Sequence, residues 1–139
     1  TPYTEEGRKL IHKNLECVSE DSLTYIRDNP IPGMSAQYND NRLSLLPSQF
    51  GDCAITGEPL DVSDMHCHHV KPRSKGGTDD FRNLILVTPV AHRLIHGTDR
   101  DKLKLNFSKV WIRDWKHRES ILRKLNKYRK LVGNETVNL

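Results

Sequence analysis

The stretch HCHHVKPRSKGGTDDFRNLILVTPVAHRLIH, residues 66–96, changes character three times within a short span. Met65 to Val70 reads as a short extended segment, and Leu84 to Thr88 (LILVT) is the most strand-like run of the chain. Between them lies KPRSKGGTDDFRN, a long polar loop in which Gly76 and Gly77 are free to take positive φ. A loop this long inside a compact domain is usually functional or disordered. Pro89 suits the first position of a helix, where its missing N–H has no partner to lose, and that helix is expected over Val90 to Ile95. The order is strand, long loop, strand, helix, an α+β arrangement.

Five of the seven histidines fall in this span: His66, His68, His69, His92 and His96. His92 and His96 are four apart on the expected helix, so they project from one face and can share one ion. The pair is not part of an HExxH protease motif, because Arg93 follows His92. His68 and His69 are consecutive strand residues and point to opposite faces. One can therefore join His92 and His96 while the other faces solvent or substrate. Three neutral imidazoles leave room on a metal for water and a phosphate oxygen. Imidazole titrates near pH 6.5, at about neutrality, so a ring left off the metal can take a proton from water. A competing arrangement closes the site: His66 shares a face with His68, and His66, His68, His92 and His96 would make a four-coordinate zinc knot. The long polar loop favours the open, catalytic arrangement, since a folding knot has no use for it.

Outward from this stretch the signals are helical. Thr4 can cap a helix from Glu5 to about Leu15, and a second is expected from Asp21 to Arg27, stopping before Asn29-Pro30. Pro30 to Asp40 reads as loop, and a short helix near Leu43 to Phe50 is expected to end at Gly51, with Pro47 obscuring its start. Beyond Gly97, Asp99 to Leu105 suits one or two helical turns. A long helix is expected from Ser108 to Val132, with Trp111, Trp115, Ile121, Leu122, Leu125, Tyr128 and Leu131 at helical spacing. On that helix the two tryptophans read as core or docking anchors rather than base-stacking platforms.

Composition bounds the function. The chain has 139 residues, 35% hydrophobic and 29% charged, which suits one domain with a small core. No apolar run approaches a membrane span, and no secretory signal opens the chain. The first residue is Thr1 rather than Met, as expected of a piece of a longer protein. Cys17, Cys53 and Cys67 are too few and too scattered for a disulfide framework and suit a reducing, cytoplasm-like compartment. The net charge of +4 conceals an asymmetry: residues 100–132 hold twelve Lys or Arg against Asp101, Asp114 and Glu119, leaving the remainder net acidic. Such a block fits a polyanionic partner, or a solvated helix face.

Residues 66–96 resemble the HNH, or ββα-metal, nuclease motif from end to end. The motif's parts stand in order as His68-His69, Gly76-Gly77, Asn83 and His92/His96. The HxxxH on the helix is similar to the colicin-type version. The segments YTEEGRKLIHKNL, YNDNRLSLL, CAITGEPL and KLNKYRKLVGN resemble the regions flanking that motif in group II intron-encoded reverse transcriptase-maturases. The likeness thus runs from Tyr3 to Asn134.

This resemblance implies a ββα-metal finger core at 51–97. An N-terminal helical extension would occupy 1–50 and a basic helical segment 98–139, all within one domain. It implies His69 as general base, with His68, His92 and His96 as metal ligands. Asn83 would pin the loop so that a backbone carbonyl orients His69. Lys71, Arg73 and Arg93 are candidate phosphate contacts, Arg73 and Arg93 the better ones. The implied activity is metal-dependent nicking of duplex DNA to a 3′-hydroxyl and a 5′-phosphate, the cut that primes reverse transcription in intron mobility. The implied cofactor is one divalent ion, magnesium or manganese, with zinc or nickel able to occupy three imidazoles. Partners would be double-stranded DNA, intron RNA and the reverse transcriptase region, in a bacterial nucleoid or an organelle. Many HNH domains of this family carry two CxxC knuckles. Cys53-Ala54-Ile55-Thr56 breaks that pattern, so no structural zinc knuckle is expected, and Cys53 and Cys67 are expected to be buried. The alternative function is a zinc-stabilised nucleic-acid-binding module without cleavage.

Overall fold

A computed structural model describes residues 18–139; the helix expected over 5–15, and Cys17, lie outside the described residues. Helix α1 (Glu20–Asp28) starts at Ser19, whose hydroxyl accepts from the Ser22 N–H, and stops before Asn29-Pro30. Helix α2 (Ala36–Ser48) begins inside Pro30 to Asp40, a span whose composition predicts loop, and so corrects that expectation. Ser35 caps it by accepting from the Tyr38 N–H at 3.0 Å. The apolar residues Tyr38, Leu45 and Leu46 fall on one buried face, so packing outweighs a local composition of Asn, Asp and Gln. Pro47 sits in the last turn, and Phe50 and Gly51 then take φ of 57° and 75° to turn the chain.

Strand β1 (His66–His69) pairs antiparallel with β2 (Leu84–Val87), in the register His66↔Val87, Cys67↔Leu86, His68↔Ile85 and His69↔Leu84. The other edge of β2 is held by a side chain: the Gln49 amide accepts from the Leu86 N–H and donates to the Leu86 carbonyl, both at 2.9 Å. Helix α3 (Pro89–His96) follows at once, capped by Thr88 and opened by Pro89 as expected.

The strand pair lies between two apolar clusters. Leu84 and Leu86 point into one with Val18, Ile26, Tyr38, Leu45 and Leu46. Val87, with Ile85 half-buried beside it, points into the other with Ile55, Ala91, Leu94 and Ile95. Burial on both faces explains why LILV is an unbroken apolar run instead of an alternating one.

Helix α4 (Arg100–Phe107) and helix α5 (Trp115–Leu131) complete the second cluster with Leu103, Phe107, Ile121, Leu122 and Leu125. Here the structure shortens the expected long helix. Ser108 caps the end of α4, and Asp114 begins α5 by accepting from the His117 N–H at 2.8 Å. Trp111 therefore lies between helices and Trp115 at the first helical position. Both are exposed, at 62% and 69%, so neither is core. Of the cysteines, Cys53 is buried as expected and Cys67 only partly so.

Candidate active site

Alternation along β1 divides the histidines between two faces. His66 and His68 share the face of Ile85 and Val87, against α3. His69 shares the face of Leu84, against α2. On the α3 side, His68, His92 and His96 bring one ring nitrogen each within 4.8 Å of one another. The helical spacing of His92 and His96 turns both rings toward β1, and His68 meets them at centroid distances of 5.3 and 5.1 Å. His66 lies outside this trio. Its Nδ1 is 2.7 Å from Nδ1 of His92, a bond from the neighbouring side of that ring.

The trio suits a metal ion on two counts. Nε2 of His68 is buried with no hydrogen-bond partner, an orphan that protein interiors seldom tolerate. Burial, with His92, His96 and His69 nearby, pushes the His68 pKa down to about 3. Burial and the neighbouring His96 and His66 push His92 down to about 4, and burial lowers His96. These rings are neutral at pH 7, with nitrogen lone pairs free to coordinate.

On the opposite face, His69 stacks on Tyr38, with centroids 5.4 Å apart and planes 21° off parallel. Its Nε2 meets Oδ1 of Asp79 at 2.7 Å. The sequence reading assigned the orienting contact to a backbone carbonyl; the structure gives it to this carboxylate. Oδ2 of Asp79 accepts from Ser35 Oγ at 2.6 Å and from Arg73 Nη2 at 2.7 Å. Hydrogen bonds from Ser35, His69 and Arg73 hold the Asp79 pKa down at about 2. A carboxylate this firmly ionised requires the hydrogen of His69 on Nε2, which leaves Nδ1 as the basic atom.

Asn83 works on the loop. Its side-chain oxygen accepts from the Lys71 N–H at 2.8 Å, and its amide donates to the carbonyls of Lys71 and Thr78 at 3.1 and 2.7 Å. Those three bonds clamp both ends of the segment carrying Arg73 and the two glycines. Gly76 takes a positive φ of 87°, but Gly77 does not; it is needed because any Cβ there would overlap the Lys71 carbonyl.

Cys67, His68, His69, Pro72, Arg73, His92 and His96 line one open cleft. The trio and His69, though on opposite faces of β1, thus border the same space. Arg73 stands at that space, half-exposed and paired with Asp79. Lys71 is exposed on the loop, and Arg93 points elsewhere, donating from Nε to Asn106 at 3.2 Å. Sequence reasoning missed Asp79 and Ser35. The only available hint was that the loop holds adjacent acids, Asp79-Asp80, and nothing in their spacing singles out one.

Residues 51–98 match the family model described as HNH endonuclease, roughly a third of the chain. The match supports an HNH domain, nuclease activity in general and DNA as the class of substrate. Comparison with curated proteins and with solved structures found no match. Among the described residues no helix is long and apolar enough to cross a membrane.

Proposed function

We propose that β1, β2 and α3 form a ββα-metal core that hydrolyses one strand of duplex DNA. The observation that carries this reading is the cleft bordered on one side by the His68, His92, His96 trio and on the other by His69 beside Asp79. His69 Nδ1 takes a proton from a water as that water attacks phosphorus, and the bond to the 3′ oxygen breaks. Asp79 holds the ring through Nε2 and steadies the imidazolium that results. Asn83 keeps the loop, and with it Asp79 and Arg73, in place; Arg73 can reach a phosphate oxygen from the cleft rim. A divalent ion held by His68, His92 and His96 would supply charge neutralisation at the phosphate and at the departing oxygen. The products are a 5′-phosphate and a 3′-hydroxyl. Magnesium or manganese suits the chemistry, while zinc or nickel would bind three imidazoles more tightly.

One site makes one cut, so a single chain nicks. The flanking segments that resemble group II intron-encoded proteins support a role for the nick in priming reverse transcription, with intron RNA and a reverse transcriptase region as partners. A bacterial nucleoid or an organelle would be the setting. A duplex labelled on each strand in turn tests the reading. One strand should be cut at low enzyme, leaving an end that a DNA polymerase extends without prior phosphatase treatment. A 3′-phosphate at the break would refute the hydrolytic direction.

The buried, unpartnered Nε2 of His68 equally favours a second reading, a zinc-stabilised binding module, with His66 outside the ligand set because it bonds Nδ1 of His92 at 2.7 Å. That module would unfold on chelation and would not cut DNA whichever ion is supplied. Retention of helical circular dichroism in chelator dismisses it.

A further inference from the structure

Burial normally claims tryptophan, since each indole removes 150–250 Å² from water, by the usual estimate of about that size. Among the described residues the three most exposed large apolar side chains are Trp115, Trp111 and Leu105. The two indoles lie in KVWIRDWKHR, residues 109–118, where Lys109, Arg113, Lys116 and Arg118 face a single acid, Asp114. That acid is already engaged, capping α5 and pairing with Arg113 at 3.3 Å. Neither indole hangs loose. The Arg118 guanidinium lies 4.9 Å from the Trp115 ring centre and is itself held by Glu119 and Asn138. Trp111 leans on His117 at 5.6 Å, and His117 is fixed by accepting from the Arg113 N–H at 3.0 Å. Lys109 and Lys116 are exposed, and no salt bridge among the described residues engages them.

We propose that this face binds an unpaired nucleic-acid strand, at a site apart from the histidine cleft, none of whose lining residues it shares. Braced, exposed indoles interleaved with unpaired cations match bases joined by phosphates, because each base offers a planar π face and each linkage a negative charge. A duplex fits poorly, since its bases are already stacked and cannot reach the rings. A membrane surface also fits poorly: Val110, Ile121, Leu122 and Leu125 are buried, so the segment has no broad apolar face to insert. The inference does not depend on the nuclease reading and can stand or fall without it.

The chain's only two tryptophans are these, so intrinsic tryptophan emission reports on this face alone. The free protein should emit as exposed indole and be quenched readily by acrylamide. Oligothymidylate and oligouridylate should quench the emission at low salt, with a duplex of equal length acting at about tenfold higher concentration or more. A preference between the two strands would support the site and identify its sugar. By anisotropy of a labelled strand, Trp111→Ala and Trp115→Ala should each weaken binding about tenfold, while the phenylalanine variants keep most of it. Melting temperatures of these variants should match the wild type. Emission already shielded in the free protein would overturn the proposal. So would strand binding that survives loss of both indoles, or an emission change with anionic vesicles and none with strands.

Discussion

Asp79 joins residues from four places in the chain: Ser35 before α2, His69 on β1, Arg73 in the loop, and its own turn. Because it touches His69 and none of His68, His92 and His96, its loss should separate the proposed base function from the proposed metal binding. Asp79→Asn should lower single-turnover cleavage about ten- to a hundredfold with metal affinity unchanged, and Asp79→Glu should restore part of it. A parallel loss of metal affinity would mean that Asp79 supports the fold and not the base. The trio makes a separate prediction in chelated protein. His68 and His92 hold pKa values of about 3 and 4 when folded, below the ordinary imidazole value, so between those values and about 6.5 the unfolded chain binds more protons. Their contribution to stability is complete above pH 6.5 and is lost as the pH falls toward 4. Melting temperature without metal should therefore drop steadily from pH 7 to pH 4.5, and His68→Asn should flatten that slope; an unchanged slope would contradict the burial of His68. At this scale the histidines were legible because strand alternation and helical spacing each constrain where a ring points. Asp79 was not, because a carboxylate in a polar loop carries no periodicity.

Helix α2 braces the loop between the strands, through Ser35 and Asn41 to Asp79 and through Gln37 to Asp80. Its first turn was hard to see in sequence: Ser-Ala-Gln-Tyr-Asn-Asp-Asn lacks an apolar repeat, and the bonds to Asp79 and Asp80 that brace it come from more than thirty residues away. Strand β2 and α3 were legible because the apolar LILV run, a Thr-Pro start and an HxxxH pair act locally. Two changes test the elements. Gly77→Ala forces a Cβ into the Lys71 carbonyl and should disorder the clamped loop, reducing cleavage far more than Gly33→Ala, where the added Cβ meets nothing and only the φ of 79° strains the alanine. At the other end, buried Arg129 on α5 donates to the carbonyls of Leu94 and Gly97 at 2.6 and 2.8 Å, and Asn134 donates to Ile95. A cation thus closes the C-terminal end of the helix that carries His92 and His96. Arg129→Met should cost about 2–4 kcal/mol in denaturant unfolding and weaken metal binding through His96. A loss below 1 kcal/mol, roughly that of a surface change, would show that the cap is dispensable.

Across the molecule, the strand pair is held between two apolar clusters, which supply a core built of apolar side chains rather than of a bound ion. Chelation should accordingly abolish cutting while leaving the fold. The basic block of residues 100–132 folds as α4, a short connector and α5, so its apolar spacing is broken at Ser108 to Asp114 and the tryptophans fall on the surface. Periodicity alone could not show that break, since Trp111 and Trp115 sit four apart as a helix would place them. Binding of duplex DNA should weaken steeply with salt, because cations that meet phosphates release counterions. The decisive comparison is nicking of supercoiled plasmid by the wild type and by His69→Ala, each with magnesium, manganese or chelator. Metal-dependent nicking by the wild type, reduced about 10²–10⁴-fold in His69→Ala while its metal affinity is unchanged, is the predicted result. Cutting that persists undiminished in His69→Ala would contradict the assignment of His69 as the base.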